Sequence, residues 1–167
     1  ENRLITMGDK NVPVNKRIFG VEGGLRPQMV HSINSKNILL EGVSFIGGGP
    51  FWTTDFIYCE NVTCRGLTII NWGPNNDGIN PDSSKNFIIE DCYFQTADDA
   101  VAIKSGRNVD GRKIGIPSEN IIVRNCQSVN SVWGTVSIGS EMSGGVKNVF
   151  VHDCYFEYGH SCFFFKT

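Results

Sequence analysis

The sequence is poor in charge. Charged residues make up 19%, against roughly 25% in an average domain. Fifteen Lys and Arg face 17 Asp and Glu, a net charge of −2. That balance excludes a nucleic-acid binder driven by phosphate neutralisation. No apolar run approaches the ~20 residues of a spanning helix, so no membrane insertion is expected. Histidine is scarce, with only His31, His152 and His160, and no C-x-x-C pair occurs. A structural zinc site is therefore not expected. No segment carries a capped 3.6-residue apolar stripe, which argues against helices. What is present is 40% apolar residue, 19 Gly, 16 Asn and six Cys in 167 residues. This content excludes disorder. It is enough for one domain, residues 1–167, with a real core.

A phrase anchored on Asn recurs five times. It begins at Asn37, Asn61, Asn86, Asn120 and Asn148, with spacings of 24, 25, 34 and 28 residues. Each phrase is apolar at +1 and +3, polar for two residues, and apolar again at +6. That is two short strands joined by a corner. A period in the mid-twenties without helices predicts an all-β parallel β-helix, a single-stranded solenoid of about five to six coils. One coil cannot bury its inward side chains alone, and the next coil covers them. The +6 row runs Val43, Leu67, Cys92, Cys126, Cys154. Its cysteines are read as small apolar fillers rather than disulfide partners. The anchor asparagines are read as a ladder at a bend, where Asn tolerates left-handed dihedrals.

The longest interval, Asn86 to Asn120, contains Gly106 through Pro117. It reads as a Gly/Pro-punctuated loop carrying Arg107, Arg112 and Lys113. Long loops of a solenoid collect on its binding face.

A second strand recurs ahead of each anchor. Asp77-Gly78-Ile79 aligns with Asp99-Ala100-Val101, then with Gly134-Thr135-Val136 and Ser161-Cys162-Phe163. Asp77 and Asp99 then occupy equivalent places on successive coils, with Asp98 beside them. Like charges this close raise each other's pKa. Glycoside hydrolysis uses such a pair as acid and base, about 6.5–9.5 Å apart in inverting enzymes. Turn capping by Asp77 and Asp98, or a calcium site, would use the same residues. Neighbouring side chains of a strand point to opposite faces. Asp98 and Asp99 can share one site only if the chain bends at Ala97-Asp98-Asp99.

The stretches Asn75-Asn76-Asp77-Gly78-Ile79, Asp98 through Gly106, and Ile138-Gly139-Ser140-Glu141-Met142 resemble family 28 glycoside hydrolases, the polygalacturonases. Gly106 through Asn120 resembles the bacterial, often exo-acting, branch. The resemblance runs from about Arg26 to Thr167. It implies a right-handed, pectin-lyase-like β-helix that hydrolyses α-linked galacturonic-acid polymers with inversion, without metal or cofactor. It implies Asp98 as general acid, with Asp77 and Asp99 holding and deprotonating water. Lys166 matches the lysine of the family's Arg-x-Lys substrate clamp. Lys104 shares its register and is expected to face the anionic sugar, as is Arg107 from its loop. Two departures stand out. Trp133 occupies the place of the family's histidine before Ile-Gly-Ser, and Phe164 that of the clamp arginine. Phe cannot make the bidentate bonds of a guanidinium, whereas a Trp face packs on a sugar ring. An altered subsite is expected. The alternatives are a rhamnogalacturonan-type hydrolase and a catalytically silent carbohydrate-binding β-helix. A pectic substrate implies a secreted or periplasmic protein, expected as a monomer. The match of the ending to the clamp motif implies further coils beyond Thr167, and a chain that also extends before Glu1.

Overall fold

Asparagine, glycine and aspartate set the corners of every coil. The computed structural model describes residues 2–18, 24, 26–47, 49 and 51–166, so Glu1 and Thr167 lie outside the described residues. Asn37, Asn61, Asn86, Asn120 and Asn148 all have φ between 55° and 58°, a region closed to most L-residues but open to Asn. From Asn61 onward each side-chain amide donates to the Asn carbonyl on the preceding coil, at 3.1, 3.1, 3.0 and 3.0 Å. Five residues after each anchor, Gly42, Gly66, Asp91, Asn125 and Asp153 turn the chain again with φ of 51–65°.

Between the corners the strands pair only in parallel, coil on coil, in three sheets. The first holds Val30–Ile33, Thr54–Ile57, Ile79–Asp82, Val101–Ile103, Gly134–Ile138 and Ser161–Phe165. The second holds Lys36–Glu41, Glu60–Arg65, Lys85–Glu90, Ser118–Arg124 and Val146–His152. The third holds Ser44–Ile46, Thr68–Asn71, Tyr93–Thr96, Gln127–Val129 and Tyr155–Glu157. The chain is thus a parallel β-solenoid of about five turns.

Inward residues stack as rows. Val62, Phe87, Ile121 and Val149 form one row, and Phe45, Ile69, Phe94, Ser128 and Phe156 another. Phe56, Phe87 and Phe94 fill the centre and are essentially inaccessible. Losing one such ring costs about 3–5 kcal/mol. All six cysteines are free thiols, and Cys92 and Cys126 are buried in the core cluster. Their row bonds to backbone carbonyls, as in Cys92 Sγ to Glu90 O at 3.2 Å and Cys126 Sγ to Arg124 O at 3.2 Å. Val43, at the start of the row, is 36% exposed.

Two short helices depart from the sequence reading. Asn2–Asp9 is helical, and so is Asn108–Ile114 within the expected loop. Seven residues are two turns, too few to show an apolar stripe. The second helix closes on Gly115 at φ 62°, a left-handed conformation that glycine adopts without a Cβ penalty. Its Asp110 pairs with Arg17, Lys113 donates to Asn11, and Asn108 donates to Asp9 at 3.4 Å. Much of the loop's polarity therefore ties the N-terminal helix to the solenoid.

Asn86→Ala should destabilise more than Asn86→Gly. Both lose the bonds to Asn61 and Asn120, about 0.5–1.5 kcal/mol each. Only alanine also carries a left-handed penalty of roughly 1–2 kcal/mol. Denaturant unfolding of the two variants measures the difference, and equal losses would contradict the ladder geometry.

Candidate active site

The first sheet ends in a cleft. Val101 pairs with Ile79 and with Val136, which puts Asp77 and Asp99 on equivalent positions of adjacent coils. The chain leaves the third sheet at Thr96 and re-enters the first at Val101. Between them lies the required bend. Thr96 Oγ1 donates to the Asp98 carbonyl at 2.7 Å, and Asp98 Oδ1 accepts the Asp99 N–H at 3.0 Å. Both neighbouring carboxylates can then face one side. One oxygen from each of Asp77, Asp98 and Asp99 lies within 4.8 Å of the others.

The cleft has a volume of about 170 Å³. Asp77, Asp98, Asp99, Lys104 and Lys166 line it together with Phe51, Trp52, Asn75, Gly139, Ser140 and Glu141. Trp133 and Phe164 stand beside it rather than in its lining. Arg107 reaches its edge, with Nη1 3.5 Å from Glu141 Oε1. The sequence reading missed Phe51, Trp52 and Asn75. The pairing of Thr54 with Ile79 carries Trp52 to the level of Asp77, a relation visible only once that strand is placed. Glu141 belongs to the Ile138–Met142 stretch quoted above. It holds Lys104.

Lys104 organises the charges. It is buried, with Nζ 3.1 Å from Asp77 Oδ2, 3.0 Å from Glu141 Oε2 and 4.3 Å from the Trp52 ring centroid. Burial opposes its charge, but Asp77 and Glu141 outweigh burial and hold its pKa above the ordinary lysine value. Glu141 shows the converse. Burial alone would raise its pKa, and Lys104 brings it below normal. Removing one member of such a buried pair costs roughly 3–5 kcal/mol. On the other side, Lys166 bonds Asp99 Oδ2, while the Gly134 N–H donates to Asp99 Oδ1 at 3.0 Å. Asp99 is thereby gripped at both oxygens. Gly134 is required there, since a Cβ would come within 2.8 Å of Asp99 Oδ1.

The remaining two acids are pushed toward their protonated forms. Asp77 rises to about 7, chiefly by burial, with Lys104 opposing and Asp98 and Asp99 assisting. Asp98 is raised by burial and then by the charge of Asp99. Asp77, Asp98 and Asp99 could also hold a cation, though Lys104 and Lys166 already pair with Asp77 and Asp99.

A second acid lies one coil earlier. Asp55 is 1% exposed, its Oδ1 has no hydrogen-bond partner, and Gln28 Nε2 lies 3.4 Å from Oδ2. Burial, followed by Asp82, pushes its pKa up to about 8. The unfolded value is near 3.9. Its contribution to stability is therefore complete below about pH 4 and is lost as pH rises through 8. Thermal melts should show wild type losing stability relative to Asp55→Asn across that window. A pH-independent difference would contradict the burial of this carboxyl.

Residues 15–165 match the family described as glycosyl hydrolases family 28. The chain is 35% identical over 130 residues to a "Probable polygalacturonase" of Vitis vinifera, covering 77% of this chain and 26% of that protein. It is 37% identical over 132 residues to an endo-polygalacturonase of Pectobacterium carotovorum subsp. carotovorum, covering 76% and 30%. The crystal structure of a hyperthermoactive exopolygalacturonase from Thermotoga maritima superposes with TM-score 0.88 at 46% identity. That match covers 92% of this chain and 34% of the other. The chain thus spans about a third or less of the length of these relatives. With three carboxylates converging where two coils meet, and with the match covering nearly all of the solenoid, the chain belongs to glycosyl hydrolases family 28.

Proposed function

We propose that the protein hydrolyses α-linked galacturonic-acid-containing pectic polysaccharide by a single displacement with inversion. The observation that carries this reading is the convergence of Asp77, Asp98 and Asp99 within 4.8 Å. A structural sheet gains nothing from such repulsion, whereas acid/base hydrolysis requires it. The oxygens approach more closely than the 6.5–9.5 Å carboxyl separation expected from the sequence. The spacing suits one water held between two carboxylates, with a hydrogen bond of about 2.7 Å to each.

Asp98 donates its proton to the glycosidic oxygen as the C–O bond breaks. The water between Asp77 and Asp99 attacks the anomeric carbon from the opposite face and gives up a proton to that pair. A raised Asp98 pKa suits the acid. The cleft's acids Asp77, Asp98, Asp99 and Glu141 meet the cations Lys104, Lys166 and Arg107. With Asp98 protonated, these charges cancel, and an anionic sugar can enter without net repulsion. Lys104, Lys166 and Arg107 are assigned to the substrate's carboxylates, and Trp133 and Phe164 to its ring faces.

An exo mode is favoured by the Thermotoga exopolygalacturonase, the more similar of the two bacterial proteins above. The polymer lies outside cells, which places the protein in the secreted or periplasmic compartment. Among the described residues no helix is long and apolar enough to cross a membrane. We assign a monomer, since one chain carries all three carboxylates.

Asp98→Asn in the full-length protein should lower kcat on polygalacturonate by about 10²–10⁴-fold, the usual worth of a general acid. Wild-type turnover in that variant would remove Asp98 from the role. On polygalacturonate the wild type should release small products from the first turnovers, without a collapse of viscosity and without an unsaturated uronate absorbance. Faster release from rhamnogalacturonan than from polygalacturonate would favour the rhamnogalacturonan reading. Binding without release from either would leave a carbohydrate-binding solenoid.

A further inference from the structure

Beside Asp99 the surface is aromatic. Trp133 is 48% exposed, and its ring centroid lies 5.6 Å from that of His160. His160 lies 6.2 Å from Phe164, whose ring is 5.3 Å from Lys166 Nζ. Backbone pairing explains the row. The Ser161 N–H donates to the Trp133 carbonyl at 3.1 Å, and the His160 N–H to Val132 at 3.2 Å. His160 therefore sits one coil over Trp133. Phe164 pairs with Ser137 and lies two residues from Lys166. A Cβ on Gly134 would touch both Asp99 Oδ1, at 2.8 Å, and Phe164 Cβ, at 3.4 Å. Gly134, which has no side chain, is the residue between Asp99 and Phe164, so the row stands next to the carboxylates.

The chemistry of the row is selective. Aromatic faces take the C–H face of a pyranose, and their π clouds are negative at the centre. A free carboxylate set against them meets repulsion. Lys166 is the cation placed against this row, and its ammonium is engaged by Asp99. A sugar with an uncharged C6 group meets none of that penalty.

We propose that Trp133, His160 and Phe164 form a subsite for a galacturonate residue whose carboxyl is methyl-esterified, with His160 as a specificity-determining residue. This inference rests on the proposed activity toward galacturonan. The cleft takes the free acid, and the aromatic row beside it takes the ester. The ester methyl packs on the rings, and no carboxylate is set against their π clouds.

The test compares kcat/KM of the full-length protein on pentagalacturonide and on its partially methyl-esterified form. The wild type should favour the ester by about fourfold, the worth of one buried methyl group. Both His160→Ala and Trp133→Ala should bring the ratio close to one. A wild-type preference for the unesterified form, or a ratio unmoved by both substitutions, overturns the subsite. Calorimetric titration of Asp98→Asn with the same two oligosaccharides reads the preference without turnover. Tighter binding of the ester there supports the subsite even if neither form is hydrolysed, a failure that would overturn the proposed activity alone. Equal or weaker binding of the ester overturns the subsite. Tighter binding of a rhamnogalacturonan oligosaccharide than of the ester assigns the row to a deoxy sugar and overturns the methyl-ester assignment.

Discussion

The Gly78 N–H donates to the Asp99 carbonyl at 2.9 Å, and the Ile79 N–H to Ala100 at 3.0 Å. These two bonds between neighbouring coils place Asp77 against Asp99, and the rest of the site hangs on them. A slip of one residue would turn every side chain of the strand to the other face. The buried rows oppose that slip, because Ile79, Val101 and Val136 would leave the core. The asparagine ladder fixes the same register at a distant corner. Core packing, corner chemistry and carboxylate spacing thus impose one alignment.

That alignment brings together charges that would otherwise drive the coils apart. Burial alone favours neutral acids, and like-charged neighbours reinforce it. Lys104 answers Asp77 on the preceding coil and Glu141 on the next, and Lys166 answers Asp99 from two coils further on. The compensation is uneven. Asp99 is held at both oxygens, whereas among the described residues Asp98 accepts from a local backbone N–H alone. This inequality separates a gripped acceptor from a carboxyl able to give up its proton, which acid/base work requires.

Much of this was legible in the sequence. Period-two alternation exposes inward rows directly, so the ladder from Asn37 to Asn148 and the Cys92–Cys126–Cys154 row follow from spacing. The match of Asp77 to Asp99, and of Lys104 to Gly139 and Lys166, needs only that register. The hidden features lie outside the repeated phrases. Trp52 reaches Lys104 from the residues preceding a strand, and Glu141 from the turn following one. The helix at Asn108–Ile114 gains its stability from Arg17 and Asn11, about a hundred residues away in the chain. His160 meets Trp133 once the coils are stacked. Each of these contacts is tertiary, and no local pattern encodes it.

The central claim is that a water between Asp77 and Asp99 attacks directly, with no sugar–enzyme bond. The anomeric form of the first product decides this. Proton NMR of early digestion of an α-linked oligogalacturonide should show the β anomer of the newly formed reducing end before mutarotation. Initial release of the α anomer would mean two displacements through a covalent intermediate, and would contradict the role given to the carboxylate pair.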